Sequence, residues 1–148
     1  MGAAEVLGGK QEDREPDGVG GTHGMTDILI VEDEPAIIES LQFILTRGGW
    51  SVDIARDGEA ALRSIWKQKP RMVLLDIMLP KKGGLEVLKS IRSQAAFKDI
   101  PVLVLTARGQ QHDRQLAMDL KADGFITKPY ANSEVIAEVR RMLSVNHA

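Results

Sequence analysis

The chain has 148 residues, 43% of them hydrophobic and 27% charged, which suits one domain with a substantial core. The absence of cysteine excludes disulfides, thiolate metal sites and cysteine nucleophiles, and it fits a reducing compartment. A net charge of −2 gives no electrostatic sign of nucleic-acid binding, and no apolar run reaches the length of a membrane span or a signal core. We therefore expect a cytoplasmic protein that binds neither nucleic acid nor membranes directly.

Residues 1–24 differ in composition from the rest of the chain. They hold seven of the 14 glycines and no aromatic residue, and five acids against two bases give them a net charge of −3. Such a segment buries too little apolar surface to offset its ordering entropy, so we expect it to be disordered. A mis-set start or a cloning remnant explains it as well as a functional tail does. The domain is then predicted at residues 25–145, with residues 146–148 as a C-terminal tail.

Beyond this segment, a short apolar run followed by a stretch with helical spacing occurs five times. The runs at 28–31, 72–75 and 102–105 are apolar throughout, which predicts strands covered on both faces. The run at 52–55 alternates and the run at 124–126 is short, so we expect these two at the edges.

Between the runs, apolar residues recur at helical spacing, at positions 37–45, 62–66, 85–91, 116–120 and 135–143. Pro35 suits the first turn of the first helix, and Gly48 follows its last apolar residue. Strict alternation of strand and helix predicts an α/β fold with helices on both faces of a parallel sheet. Five such units fit a flavodoxin-like, doubly wound (βα)5 parallel sheet with strand order 2-1-3-4-5.

Polar residues follow four of the five predicted strands. Glu32 and Asp33 follow the first, Asp76 the third, Thr106 the fourth and Lys128 the fifth. Because these four strands are neighbours in the order 2-1-3-4-5, we expect the side chains to converge at the carboxyl edge of the sheet, where such folds bind ligands. Three carboxylates with no histidine or cysteine among them suit a hard cation, and Mg²⁺ is the natural occupant.

This set of residues predicts phosphoryl chemistry. A carboxylate beside Mg²⁺ is able to act as a nucleophile toward a phosphoryl group and form an acyl phosphate. Transfer of that group needs mainly positioning and charge neutralisation, which Lys128 would supply as a point charge and Thr106 through its hydroxyl.

Four segments occur in a distinctive order and spacing: ILIVEDE at 28–34, LLDIMLP at 74–80, VLTA at 104–107 and ITKPY at 126–130. Together they resemble the receiver domains of response regulators in bacterial two-component signalling, over about residues 26–145. The resemblance implies a phosphoacceptor module that catalyses only its own phosphorylation and dephosphorylation. Its partners would be a histidine kinase or phosphotransfer protein, and then a downstream protein or a second copy bound through helix 4, strand 5 and helix 5.

The resemblance also implies a role for individual residues. Asp76 would accept the phosphoryl group, with Thr106 and Lys128 contacting that group. The metal ligands would be Glu32, Asp33 and Asp76, together with the backbone carbonyl of Met78.

Further positions would act as the switch. Ala107 and Phe125 stand at the switch positions, and the bond before Pro129 is a candidate for a cis peptide. Phe125 lacks the hydroxyl of the tyrosine common there, so it would take part in the switch through packing but not through a hydroxyl hydrogen bond.

Receivers of the winged-helix class pair an Asp on strand 5 with an Arg on helix 5. This chain has Gly124 and Glu138 at those positions, which puts that mode of dimerisation in doubt.

Two other classes of protein fit less well. A phosphatase of the haloacid-dehalogenase type needs a second acid two residues after the nucleophile, where this chain has Met78. A flavodoxin-like nucleotide binder needs a glycine-rich phosphate loop after the first strand, and none is present. Because the sequence ends soon after the fifth helix, both a stand-alone receiver and the excised receiver of a longer regulator remain open. The cognate kinase, the pathway and the target are not predicted by any feature of the sequence.

Overall fold

The computed structural model describes residues 26–107 and 111–145. The predicted tails at 1–24 and 146–148 lie outside these residues, as does Met25, the first residue of the predicted domain. The strands are β1 (Ile28–Val31), β2 (Val52–Ala55), β3 (Met72–Asp76), β4 (Val102–Ala107) and β5 (Gly124–Lys128). The helices are α1 (Pro35–Arg47), α2 (Gly58–Lys67), α3 (Gly84–Ser93), α4 (Gln111–Asp119) and α5 (Asn132–Val145).

The five strands form one parallel sheet in the order β2-β1-β3-β4-β5, which confirms the predicted fold. In register, Ile28 of β1 lies between Val52 of β2 and Met72 of β3. β1 and β3 are fully buried, as their continuous apolar runs predicted, whereas β2 at the edge is mostly half-buried or exposed. Both β4 and β5 continue two residues past their predicted apolar runs, because backbone pairing carries on through the polar residues at the strand ends.

Each face of the sheet is covered by its own apolar layer. Alternate residues of β1 point to opposite faces, so Leu29 packs with α2, α3 and α4 while Ile28 packs with α1 and α5. Helix boundaries follow local chemistry: Pro35 opens α1, and the carboxylate of Asp57 accepts a hydrogen bond of 2.8 Å from the Ala60 backbone N–H at the start of α2. Within residues 26–107 and 111–145, no helix has both the length and the apolar character needed to cross a membrane.

Candidate functional site

Three acidic side chains meet at the carboxyl edge of the sheet. Glu32 and Asp33 follow β1, and Asp76 is the last residue of the neighbouring strand β3. Each offers a carboxylate oxygen within 4.8 Å of the others. Glu32 and Asp76 are buried and Asp33 is exposed, so the cluster opens to solvent through Asp33.

Lys128 joins the two buried acids. Its Nζ atom lies 3.2 Å from Oε1 of Glu32 and 3.4 Å from Oδ2 of Asp76. The lysine is the last residue of β5, two strands away from β3, and its side chain reaches across the end of β4. A single cation therefore neutralises part of a cluster that carries three carboxylates.

Backbone donors orient both buried carboxylates. The Glu34 N–H donates to Oε2 of Glu32 over 3.2 Å, and the Met78 N–H donates to Oδ1 of Asp76 over 3.1 Å. Each donor lies two residues after its acceptor, in the turn that follows the strand. The opposite oxygens, Oε1 and Oδ2, are thereby the ones that contact Lys128.

The electrostatics of this cleft raise three pKa values. Burial, and then the charge of Asp76, raise the pKa of Glu32 to about 7, although Lys128 opposes the shift. Burial lowers the pKa of Lys128, but the charges of Asp76 and Glu32 outweigh it and the net shift is upward. The pKa of Tyr130 rises to about 12 through burial and then the charges of Glu32 and Asp76. The cleft thus disfavours further negative charge and favours cations.

The loop after β3 is held in place by two glycines at helix starts. A Cβ atom at Gly84 would collide with the backbone carbonyl of Asp76, and a Cβ atom at Gly58 would collide with the carbonyl of Lys82. The Gly58 N–H also donates to the Lys81 carbonyl over 3.2 Å. The starts of α2 and α3 therefore pack directly against the loop that follows Asp76.

The other predicted residues lie on β4 and β5. Thr106 is buried at the end of β4, and Ala107 is exposed and pairs in register with Lys128. Phe125 is half-buried against the layer formed with α2, α3 and α4. The Lys128–Pro129 peptide bond is cis.

Sequence reasoning missed two residues near these positions. The guanidinium of Arg114 on α4 lies 5.0 Å from the centroid of the Phe125 ring, a cation–π contact. Tyr130 is half-buried close to the acidic cluster. The position of Tyr130, two residues after Lys128, was a visible sequence signal for its place near the cluster. The contact of Arg114 with Phe125 depends on how α4 packs, which no local sequence pattern specifies.

The donor set fits a hard divalent cation. The three side chains offer only carboxylate oxygens, which suit Mg²⁺ better than the nitrogen- and sulfur-preferring metals. Two of the acids are buried with one lysine between them, so a cation would remove the remaining repulsion.

Comparison with known proteins identifies the family. Residues 28–140 match the family model of the response regulator receiver domain. The alkaline phosphatase synthesis transcriptional regulatory protein PhoP of Bacillus subtilis (strain 168) is 43% identical over 116 residues, which cover 78% of this chain and 48% of PhoP. The transcriptional regulatory protein DltR of Streptococcus agalactiae is 45% identical over 113 residues, covering 76% of this chain and 50% of DltR.

Solved structures agree with these relatives. The receiver domain of NtrX from Brucella abortus superposes with a TM-score of 0.74 at 32% identity, covering 80% of this chain and 98% of that one. The receiver domain of a sensor histidine kinase from Pseudomonas aeruginosa, solved with a magnesium ion in its active-site cleft, has a TM-score of 0.75 at 28% identity over 80% of this chain and 98% of that one.

Strand order, acidic cleft and sequence matches together define the class as a receiver of two-component signalling. The chain belongs to the response regulator receiver family. It spans about half the length of the curated relatives it matches.

Proposed function

We propose that this chain accepts a phosphoryl group on Asp76, in a Mg²⁺-dependent reaction, from a histidine kinase or phosphotransfer protein in the cytoplasm. The observation that carries the proposal is the buried Asp76 carboxylate at the carboxyl edge of the sheet, within 4.8 Å of the oxygens of Glu32 and Asp33 and 3.4 Å from Lys128. No second class of function is favoured by a comparable observation.

The chemistry assigned to Asp76 is a simple displacement. One carboxylate oxygen forms a bond to phosphorus while the P–N bond of the donor phosphohistidine breaks, and the imidazole nitrogen keeps that electron pair. The Met78 N–H holds Oδ1 of Asp76, and the Nζ atom of Lys128 lies beside Oδ2. Lys128 is therefore positioned to stay with the carboxyl group and to pair with the added phosphoryl oxygens.

The proposed metal site uses Glu32, Asp33 and Asp76, with the backbone carbonyl of Met78 as a fourth ligand. Bound Mg²⁺ would supply neutralisation of the charge on the phosphoryl oxygens. The Pseudomonas relative with magnesium in its cleft supports this choice of metal, as does the all-oxygen donor set. The same reasoning gives the chain no catalytic role beyond its own phosphorylation and dephosphorylation.

Incubation with acetyl phosphate and Mg²⁺ tests the proposal. Intact-mass measurement should find one added phosphoryl group, and both Asp76→Asn and EDTA should abolish it. Glu39→Gln, which neutralises an exposed acid on α1, is the matched control and should be labelled like the wild type. Undiminished labelling of Asp76→Asn would overturn the assignment.

The same proposal includes a switch on α4, β5 and α5. A phosphoryl group brings roughly −1.5 to −2 charges close to Lys128 and Thr106. We propose that Thr106 moves toward it, that small Ala107 lets the backbone follow, and that Phe125 fills the space left behind. The surface thus altered would dock a separate protein or a second copy of the receiver, and no direct contact with nucleic acid is assigned to it.

NMR with and without beryllofluoride, a phosphoryl mimic on Asp76, separates the switch from the acceptor site. We expect shift changes at Phe125 and along residues 111–143, with some inactive conformer persisting because Phe125 has no hydroxyl to hold it inward. Changes confined to the cleft would refute the switch and leave the phosphorylation site standing. Limited proteolysis of the same samples should give a protected core at residues 25–145, the domain boundaries we propose.

A further inference from the structure

On the α2 side of the molecule, an exposed tryptophan stacks on a half-buried phenylalanine, and neither belongs to the site assigned to Asp76. Trp66 lies on the outer stripe of α2 and keeps 41% of its surface exposed. Its indole stacks on Phe97 in the loop after α3, with ring centroids 4.5 Å apart and an angle of 13° between the planes. Stacking fixes the position of a large apolar surface that nevertheless faces solvent.

Exposed cations surround this pair. Arg63 and Lys67 share the outer stripe of α2, Lys69 follows the helix, and Lys98 is next to Phe97. Among residues 26–107 and 111–145, none of the four makes an ion pair, whereas Arg71, Arg92, Lys128 and Arg141 all do. We define the Trp66 face as Arg63, Trp66, Lys67, Lys69, Phe97 and Lys98. Its four cations outnumber the three exposed acids nearby, which are Glu59 and Asp99 along the chain and Asp53, whose carboxylate accepts a hydrogen bond of 2.6 Å from the Thr26 hydroxyl, so the net charge of this region is positive.

The described chain begins next to this face. The hydroxyl of Thr26 lies 3.4 Å from Oε1 of Gln68, directly between Lys67 and Lys69 in sequence, and the Thr26 carbonyl accepts a hydrogen bond of 3.1 Å from the Arg71 N–H. Residues before Thr26 therefore join the domain at the carboxyl end of α2. The preceding sequence carries an acidic run at residues 12–17, with four acids and one arginine.

We propose that the acidic run at residues 12–17 binds the Trp66 face of the same chain. Nine backbone steps lead from position 17 to position 26 and span up to about 30 Å, while the ten residues of α2 extend only about 15 Å. The run is therefore long enough to reach the two cations on α2, Arg63 and Lys67. The proposal does not depend on phosphorylation and adds a second, charge-based contact surface to the receiver.

The covalent link between the acidic run and the domain is what allows weak ion pairs with the Trp66 face to be populated. Exposed ion pairs are individually weak and are screened by salt. A short tether, however, holds the acidic run at a local concentration in the millimolar range. The contact should therefore be populated at low ionic strength and lost at high ionic strength, and while formed it would shield the Trp66 face from other acidic partners.

A spin label tests the contact directly. The sequence has no cysteine, so Gln11→Cys gives one attachment point for a nitroxide beside the acidic run. In 20 mM salt we expect selective loss of amide intensity in α2 and at Phe97 and Lys98, and recovery of that intensity in 0.5 M NaCl. The unlabelled amide spectrum of each variant verifies that it is folded.

Two charge variants make the test specific. The double change Arg63→Gln, Lys67→Gln should remove the intensity loss. Lys81→Gln, Lys82→Gln should leave it, because those exposed cations lie beside Gly58 at the amino end of α2, whereas Trp66 and Lys67 lie at its carboxyl end. No loss at low salt, loss centred on another face, or insensitivity to Arg63→Gln, Lys67→Gln would overturn the proposal. Equal loss when label and isotope are carried by different molecules would also overturn it, since the contact would then be between chains.

Discussion

In the metal-free protein, the ionisation of Glu32 makes the stability of the fold depend on pH. Its side chain is fully buried, and its pKa is raised from 4.5 to about 7, first by burial and then by the charge of Asp76. A raised pKa in the folded state means that the fold binds a proton more tightly than the unfolded chain does. The contribution of Glu32 to stability is therefore fully present below about pH 4.5 and is lost as the pH rises through 7.

We expect Glu32→Gln to be more stable than the wild type at pH 8 in the presence of EDTA, by a few kcal/mol in the free energy of unfolding. The difference should shrink toward pH 5, where Glu32 is protonated in the fold. Urea unfolding at both pH values measures it, and Glu39→Gln serves as an exposed control. A Glu32→Gln protein that is less stable at pH 8 would show that attraction to Lys128 outweighs burial.

We expect Met78 to affect a second property at this scale, the lifetime of the proposed acyl phosphate. Hydrolysis needs a water molecule held in line with phosphorus, and the thioether of Met78, 58% exposed beside Asp76, is a weak hydrogen-bonding group. Met78→Asn should shorten the lifetime several-fold, measured as decay of the phosphorylated mass. Met118→Asn on α4 changes a similarly exposed methionine and should not. Arg108, two residues after Thr106, is a cation rather than a water-orienting acid, so we expect it to slow hydrolysis as well; it lies outside the described residues.

At the scale of elements, the start of α2 packs against the loop that joins Asp76, at the end of β3, to α3. Gly58→Ala would drive a methyl group into the Lys82 carbonyl, so we expect a loss of about 1–3 kcal/mol in the free energy of unfolding. Gly83→Ala is the matched control, because its Cβ would meet nothing within 4 Å and its φ of −59° suits alanine. Urea unfolding compares the two, and an unchanged midpoint for Gly58→Ala would mean that the loop yields without cost.

Elements are also where sequence and structure can be compared. The continuous apolar run of β3 and the alternation of β2 predicted a central and an edge strand, because burial on two faces or one leaves different periods in a sequence. The close approach of Gly58 to Lys82 left no such signal, since it joins segments that are distant in sequence. The stacking of Trp66 on Phe97 left no signal for the same reason.

For the molecule as a whole, the proposed metal site would couple ion binding to folding. A ligand L that binds only the folded state stabilises it by RT ln(1 + L/Kd), so the stabilisation keeps growing as the ligand concentration rises above Kd. We expect 10 mM Mg²⁺ to raise the melting temperature of the wild type at pH 8, and Asp33→Asn to lose most of that rise because it removes the exposed carboxylate of the cluster. Calorimetry with K⁺ added at equal ionic strength controls for screening, and an equal rise in Asp33→Asn would place the ion elsewhere.

The part of the candidate site formed by strand ends could be predicted from the sequence, because parallel strands all end at the same edge of the sheet. The meeting of Glu32, Asp76 and Lys128 was predictable because each lies at the carboxyl end of a parallel strand; the role of Thr106, which is buried at the end of β4, stays a prediction. The contact of Arg114 with Phe125 was not predictable, since it depends on how α4 packs, whereas Tyr130 was missed although its position two residues after Lys128 was visible in the sequence. Sequence therefore predicted which residues meet, and only the structure placed their surroundings.

The contact between Lys128 and Glu32 closes a loop of 96 residues at 3.2 Å. A chain divided within the α3–β4 loop, at residues 94–99, would leave Glu32 and Asp76 in one fragment and Thr106 and Lys128 in the other. Neither fragment would hold a complete acceptor site, because β4 and β5 must pair with β3 before the lysine reaches the acids. The amount of phosphoryl group accepted by a mixture of the two fragments would then measure how many molecules have reassembled. The receiver would thus serve as a split reporter whose signal is a covalent modification.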